Sequence, residues 1–141
     1  MAASTGYQPS ELDLVFRRGD AFVLSLRRLD DQGALVNTAN CGALLRVRTF
    51  DKKRPNGRDR TVLTADKTGG PTVGTIQVGI QGSDPQSNLS IVIPANLTET
   101  LPAIPEDEAF ELRYDLRVWE LSDENGTKTT WLEGRVIVRD W

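Results

Sequence analysis

The side chains that catalysis would use are few in this chain and poorly arranged for it. The run "PEDEAF" at residues 105–110 places three carboxylates together, and paired carboxylates are what general acid–base catalysis needs. They directly precede a predicted strand, where acidic side chains keep a loop soluble and block edge pairing. The chain has no histidine and one cysteine, Cys41, so the Ser–His and Cys–His pairs that activate most nucleophiles are absent. We therefore expect no enzymatic activity.

Metal and cofactor sites are equally poorly supported by the residue types. Without histidine, the usual zinc, iron and copper sites lose their main ligand. Cys41 stands just before a predicted strand, a position more typical of a small buried residue than of a nucleophile. The glycine-rich stretch at residues 69–82 is followed neither by Gly-Lys-Ser/Thr nor by a helix pattern, so it matches no phosphate-binding loop. We predict no metal and no cofactor.

Composition argues against two classes of partner. The 141 residues have the size of one domain, and the formal net charge is -3 with a pI of about 5.0. That balance lacks the basic field that attracts nucleic acids or an anionic membrane surface. No apolar run approaches the roughly 20 residues of a membrane span, and the start "MAASTGYQPSELD" lacks the pattern of a secretory signal. We expect a protein made in the cytoplasm and not secreted, with no nucleic-acid or membrane partner.

Apolar residues alternate with polar ones at a period of two, which predicts strands. The alternating positions are Leu12, Leu14 and Phe16; Phe22, Leu24 and Leu26; Leu45 and Val47; Ile76, Val78 and Ile80; and Leu89, Ile91 and Ile93. Turn sequences such as "DDQG" and "DENG" separate them at the spacing of an antiparallel β-sandwich. The stretch "PANLTETLP" predicts a short helical turn near 95–101. We predict a flexible N-terminal arm at residues 1–11 and a single β-sandwich domain at 12–141.

All three tryptophans fall in the last 31 residues, "ELRYDLRVWELSDENGTKTTWLEGRVIVRDW". If Glu124, Asn125 and Gly126 form a three-residue loop, with Gly126 in the left-handed conformation, the two flanking strands collect aliphatic residues on one face. A two-residue Asn-Gly turn would set apolar residues against charged ones, which the alternation resists. The predicted cross-strand pairs are Trp119 with Trp131, Arg117 with Glu133, Asp115 with Arg135, Glu111 with Arg139, Val118 with Leu132, Tyr114 with Val136 and Leu112 with Val138.

This register places an aromatic cluster on the outer, charged face of the hairpin. Its members are Trp119, Trp131, Ile137 and Trp141. Tryptophan is enriched at interface hot spots, and exposed apolar patches mark contact sites, so we predict that the cluster is a protein interface. Three alternatives stay open: the indoles cover each other, they lie under the N-terminal arm or a loop, or a β-bulge turns Trp131 inward.

The stretch "DKKRPNGRDR" at residues 51–60 holds five basic residues around a Pro-Asn-Gly turn. It predicts the tip of a hairpin that follows the strand at 43–50. The candidates for contact with an acidic neighbour or a phosphate are Lys52, Lys53, Arg54, Arg58 and Arg60. A solvated loop is the commoner fate of such residues, and no aromatic residues are interleaved for base stacking.

Several motifs resemble those of a known family. They are Arg18-Gly19-Asp20 before a long strand, "DDQG" at 30–33, "YDL-V" at 114–118 and "L-G-V-V" at 132–138. Together they resemble the small immunoglobulin-like β-sandwich proteins encoded among the virion structural genes of tailed bacteriophages. The resemblance covers about residues 12–140. The chain departs from it at "NTANCGA", where the family has a "LTGY"-like turn, and in the longer basic loop at 51–60.

The resemblance implies an immunoglobulin-like β-sandwich that acts as a non-enzymatic virion structural protein. We expect a minor tail or baseplate component, present in multiple copies and in contact with other virion structural proteins, whose N-terminal arm orders on a neighbouring subunit. Capsid decoration is the alternative role. A carbohydrate-binding β-sandwich module, in which exposed indoles stack on the rings of a glycan, is the alternative from another class.

Overall fold

Strands make up nearly all of the regular structure in the computed structural model, which describes residues 10–51, 60–82, 86–101, 110–121 and 128–140. The predicted all-β class, with one helical turn near 95–101, is confirmed. The strands are β1 (Ser10–Glu11), β2 (Leu14–Arg17), β3 (Phe22–Leu26), β4 (Cys41–Asp51), β5 (Thr61–Asp66), β6 (Gly74–Gln81), β7 (Ser87–Ile93), β8 (Phe110–Glu120) and β9 (Thr129–Arg139), and the helix is α1 (Ala95–Thr98).

One continuous hydrogen-bonded path joins the strands into a curled sheet. Its order is β1, β9, β8, β4, β5, β6, β7 and β3, and β2 pairs with β9 beside β1. Most neighbours are antiparallel, but β1 and β2 both run parallel to β9, and β5 runs parallel to β6. The sheet is therefore mixed rather than wholly antiparallel. Ser10 and Glu11, which we assigned to the arm, form β1.

The core fills the concave side of this sheet. It consists of inward-facing residues at alternate positions of the strands, and the completely buried apolar ones include Phe16, Leu45, Val47, Leu89, Ile91, Ile93 and Leu116. Two predicted inward residues, Leu12 and Ile80, are exposed instead. Gly79 has a φ of 89°, and the pairing of β6 with β7 shifts between Val78 and Gln81. This irregularity turns Ile80 away from the core.

Candidate functional site

The outer face of β4, β8 and β9 carries Trp119, Ile137 and the charged residues of the predicted hairpin pairs. β4 and β8 pair antiparallel over their full length. Leu45 lies opposite Leu116 on the buried side, so the next pair, Arg46 opposite Asp115, points outward. Because side chains alternate between the two faces of a strand, the odd-numbered residues of β8 line the outer face. This face holds an aromatic end and a charged centre.

The aromatic end is formed by Trp119, whose indole lies across Gly42 of the neighbouring strand. The two residues are directly opposite each other in the pairing of β8 with β4. A Cβ atom at Gly42 would come within 2.5 Å of the indole Cε2, so only glycine leaves room for the ring. The Lys128 Nζ lies 4.7 Å from the centroid of the same ring, within cation–π range. Trp119 is thus a half-buried ring held in place, with a cation above it.

Trp131 is turned inward, and its predicted position on the outer face is wrong. The pairing of β9 with β8 shifts between Thr130 and Leu132, which leaves Trp131 at a bulge. Its side chain is part of the core, with a relative exposure of 8%. The Arg28 guanidinium lies 5.1 Å from the centroid of the ring. The alternative in which a β-bulge buries Trp131 is therefore the one observed.

The register of the closing hairpin also differs from the prediction. Val118 pairs with Thr129, Leu116 with Leu132, and Leu112 with Val136, so the predicted partners on β9 are displaced. None of the predicted cross-strand pairs forms in this register, and the predicted loop residues 124–126 lie outside the described residues. A displacement by two positions keeps every aliphatic side chain on its predicted face, which is why the apolar pattern did not distinguish the two registers.

The predicted aromatic cluster therefore does not form one continuous patch. Trp119 lies at the loop end of the β8–β9 hairpin, whereas Ile137, which is half-buried, follows Val136 near the other end. Trp131 is buried, and Trp141 lies outside the described residues. Trp119 and Trp131 consequently do not provide the pair of open indoles that stacking on a glycan would use. The role of Trp119 and Ile137 in an interface stays a prediction.

The charged centre is organised around Asp115, which is buried although its side chain lies on the outer face of the sheet. Its Oδ2 lies 3.3 Å from the Nη2 of Arg117 and 4.0 Å from the Nη2 atoms of both Arg46 and Arg48. Three guanidinium groups thus surround one carboxylate. A buried carboxylate is tolerated only when paired in this way. The predicted ion pair of Asp115 with Arg135 is replaced by these contacts.

A row of three arginines crosses the same face next to Asp115. Arg113 of β8 lies opposite Arg48 of β4 on one side and opposite Arg135 of β9 on the other. Like charges in direct opposition destabilise a sheet. Each arginine of the row contacts a carboxylate: Arg113 contacts Glu111, Arg135 contacts Asp13 at 2.9 Å, and Arg48 shares Asp115 with Arg46 and Arg117.

These arginines line an open groove of about 530 Å³. Its other lining residues include Glu11, Asp13, Glu133 and Tyr114. The Tyr114 hydroxyl donates a hydrogen bond to the carbonyl oxygen of Leu12, and burial raises the pKa of Tyr114 far above its ordinary value. A phenol that stays protonated is a poor base. Two ion pairs lie among the residues that line the groove, Arg135 with Asp13 and Arg48 with Asp115.

Cys41 has the surroundings of a buried structural residue, and the acidic residues 106–108 lie outside the described residues. Cys41 is buried at the start of β4, and burial raises the pKa of its thiol, which disfavours the nucleophilic thiolate. Among the described residues, no group of three or more His, Cys, Asp or Glu side chains is placed to hold a metal ion. The same residues contain no helix long and apolar enough to cross a membrane.

The basic hairpin tip is only partly visible. Lys52, Lys53, Arg54 and Arg58 lie outside the described residues. Arg60 is exposed, and its backbone N–H donates to the Thr49 hydroxyl at 3.1 Å, while the Thr49 N–H donates to the Arg60 carbonyl at 2.9 Å. Strands β4 and β5 pair antiparallel as a hairpin requires. An electrostatic role for this loop stays a prediction.

Two residues that the sequence analysis passed over shape this surface. Gly42 seats Trp119, and Asp13 neutralises Arg135. A glycine inside a strand indicates close approach of another group, so Gly42 in the predicted strand could have indicated a bulky neighbour such as Trp119. Asp13 carried none, because it meets Arg135 only through the parallel pairing of β2 with β9.

Comparison with known proteins gives a structural likeness without a family. No protein-family model matches the chain, and no curated protein matches it. Among solved structures, the chain is similar to one from a study of multimeric cell-adhesive interactions of VGSC beta subunits. The two share 10% sequence identity over 95% of this chain and 98% of that chain, with a TM-score of 0.34.

Proposed function

We propose that this chain is a non-enzymatic structural protein that acts through protein–protein contacts, as a minor tail or baseplate component of a tailed-bacteriophage virion. The virion setting derives from the sequence motifs at residues 18–20, 30–33, 114–118 and 132–138. Other virion structural proteins are its partners under this proposal. Decoration of the capsid is the alternative location, and labelling the protein in electron micrographs of particles separates the two.

The observation that carries the proposal is the fixed indole of Trp119. A ring that is half-exposed yet already held against Gly42 loses little conformational freedom when a partner covers it. Its N–H remains a donor for a hydrogen bond at the contact. Leu121, which follows the end of β8, is 56% exposed. Together Trp119 and Leu121 offer an apolar anchor, and Arg117 lies two positions from Trp119 on the same face of β8; tryptophan and arginine are both enriched at interface centres.

The chemistry of the remaining groups supports a binding role over a catalytic one. The groove on this face is lined by arginines and carboxylates, of which Arg135 pairs with Asp13 and Arg48 with Asp115. Catalysis needs groups that converge on a substrate with pKa values matched to proton transfer. The pKa values of Tyr114 and Cys41 are both raised, which keeps the two side chains protonated near neutral pH.

The test is incorporation into particles made by a phage genome that encodes this chain, with its own copy replaced by a variant. Mass spectrometry of purified particles measures how much protein each particle holds. We expect Trp119→Ala to lower incorporation at least tenfold, the scale of a hot-spot residue, while circular dichroism shows a folded domain. Ile80→Ala removes an exposed apolar side chain elsewhere, with Ile80 at 52% exposure, and serves as the control.

Two results would contradict the proposal. Absence of the unaltered protein from purified particles would refute the virion role. Normal incorporation of Trp119→Ala would refute the Trp119 contact. A rise in tryptophan fluorescence on titration with polysaccharide, lost in Trp119→Ala, would favour the carbohydrate-binding alternative.

A further inference from the structure

Strand β3 forms one end of the curled sheet and is covered on one side only. It pairs with β7 along all five of its residues, and within the described ranges no strand pairs with its other side. Its inward-facing side chains, Phe22, Leu24 and Leu26, are only half-buried. The inward-facing side chains opposite them on β7 are completely buried. Phe22 packs against Phe16 of β2, with ring centroids 4.3 Å apart, and the core ends at β3 with part of these three side chains still open to water.

Buried polar side chains hold the backbone rigid at both ends of this edge. At the start, the hydroxyl of Thr98 in α1 accepts a hydrogen bond from the Gly19 N–H at 3.1 Å and lies 2.9 Å from the Asp20 carbonyl oxygen. At the end, the Asn88 amide bonds both the N–H and the carbonyl of Arg28 at 3.0 Å. Thr98 and Asn88 are completely buried. An edge already held in its extended form loses little entropy when another strand pairs with it.

β3 also lacks the devices that usually keep a sheet edge from pairing. Charged side chains, prolines and bulges are the common protections. The sequence of β3, "FVLSL", contains no charge and no proline, and its register with β7 is unbroken. Val23 is 64% exposed on its outer side, the most exposed large apolar residue among those described. Such an edge is suited to accept another strand.

We propose that β3 is the contact through which two copies of this chain form a symmetric dimer, with the two β3 strands antiparallel about a two-fold axis at Leu24. In that arrangement Phe22 of each copy lies opposite Leu26 of the other, and Val23 lies opposite Ser25. Inward-facing residues meet inward-facing ones, as a twofold interface requires. A displacement by one residue would set inward side chains against outward ones.

The charges that flank β3 select the same register. Asp20 stands two positions before the strand and Arg28 two positions after it. In the proposed dimer, Asp20 of each copy lies opposite Arg28 of the other, so opposite charges meet at two sites while the Arg28 guanidinium keeps its contact with the Trp131 ring. Displacement by two residues would bring Arg28 towards Arg18 of the second copy, or Asp20 towards Asp30. Like charges placed opposite each other disfavour both of those registers.

This contact joins identical copies and is separate from the Trp119 surface proposed to bind a different protein. The dimer would extend the sheet continuously from one copy into the next. It would also cover the half-buried Phe22, Leu24 and Leu26 along the shared edge. Because Trp119 lies on β8, in the interior of the sheet order and away from β3, failure of one contact does not entail failure of the other.

Sedimentation equilibrium of the full-length chain tests the proposal through charge exchange. We expect the unaltered protein to shift from a mass of 15.6 kDa towards about twice that value as its concentration rises. Asp20→Lys and Arg28→Glu should each weaken the dimer roughly tenfold, because each places like charges together at two sites. An equimolar mixture of the two variants should recover dimers, since the mixed dimer has opposite charges at both sites. Weakened dimers that do not recover on mixing would overturn the register.

A second pair of variants locates the contact without touching a buried group. Val23→Lys places a charge on the exposed side of β3, and Val15→Lys places one on the exposed side of β2, where Val15 is 44% exposed. We expect only Val23→Lys to give a monomer, with the circular dichroism of both variants unchanged. The proposal is overturned if the unaltered chain stays monomeric, if it dimerises only after residues 1–9 are removed, or if Val23→Lys leaves the dimer intact.

Discussion

The curled sheet ends in two edges that are built from opposite kinds of residue. The β1/β2 edge is interrupted between Glu11 and Leu14. Asp13, in the link between the two strands, accepts hydrogen bonds from the backbone N–H and the guanidinium of Arg135. The β3 edge is unbroken and uncharged, and buried polar side chains hold its ends. Short, interrupted, charged edges resist further pairing. The difference indicates that the β1/β2 edge resists pairing with another strand, whereas the β3 edge can accept one.

The anchoring of the two edges differs as much as their composition does. Asn88 of β7 holds the end of β3. It is completely buried, and its side-chain amide forms hydrogen bonds with the backbone of Arg28 and Val36. Asp13, at the other edge, is exposed to solvent. A buried hydrogen-bonding group is costly to remove because its partners are left unsatisfied, whereas an exposed ion pair contributes little. The variants below are ordered by this expectation.

The largest loss of stability is expected for Asn88→Ala. It would leave the Arg28 N–H and the Val36 carbonyl without their present partner, while the Arg28 carbonyl keeps the hydrogen bond that it accepts from the Val36 N–H. We expect a cost of about 3 kcal/mol. Urea denaturation of the full-length chain measures the free energy of unfolding. Asn96→Ala, at an exposed asparagine, is the control and should change it by less than about 0.5 kcal/mol. Equal effects of the two would show that β3 is not anchored through Asn88.

Gly134→Ala perturbs the β1/β2 edge, and we expect an intermediate loss in the free energy of unfolding. A Cβ atom at Gly134 would lie 2.4 Å from the Leu12 carbonyl oxygen, so the link between β1 and β2 has to move. We expect a loss of about 2 kcal/mol, in the range of overpacking substitutions. Glu133→Ala, at the exposed neighbour, should be nearly neutral in the same denaturation experiment. An unchanged Gly134→Ala protein would mean that Leu12 does not cross this glycine.

The smallest effect is expected at Asp13 and depends on pH. Hydrogen bonds from the Arg135 backbone and side chain lower the pKa of Asp13, so the ionised form is favoured in the folded state. Its contribution to stability is present above the unfolded pKa, near 3.9, and is lost as the pH falls through the lower folded-state pKa. Asp13→Asn should be slightly less stable than the unaltered chain near pH 6, and the difference should vanish at strongly acidic pH. A constant difference across this range would exclude the ion pair as its source.

The fold class was predictable because it depends on local pattern. Alternation at Leu14 and Phe16, and again at Leu89, Ile91 and Ile93, directs these side chains inward in any all-β arrangement, and each of them is buried. The proline before Ala95 and the residues after it were sufficient to predict α1. These signals involve neighbours along the chain, so the sequence contains them in full.

The candidate site was less predictable because it depends on which strands meet. The period-two pattern of β8 and β9 is satisfied equally by registers two residues apart, so it did not decide which charges face each other. The bulge at Trp131 interrupts the pairing of β9, and neither a glycine nor a proline at that position indicates it in the sequence. Asp115 was predicted to meet Arg135 on β9, yet it meets Arg46 and Arg48 on β4, a strand far away in the chain.

By itself the sequence determined the all-β class, the helical turn and the buried positions at Leu14, Phe16, Leu89, Ile91 and Ile93, because each follows from residue type and local spacing. Only the tertiary structure decided that Trp119 lies on Gly42, that Trp131 belongs to the core and that β3 remains at an open end of the sheet. Pairing between distant strands sets those outcomes, and its register is fixed by packing and charge across the whole sheet rather than by any one segment.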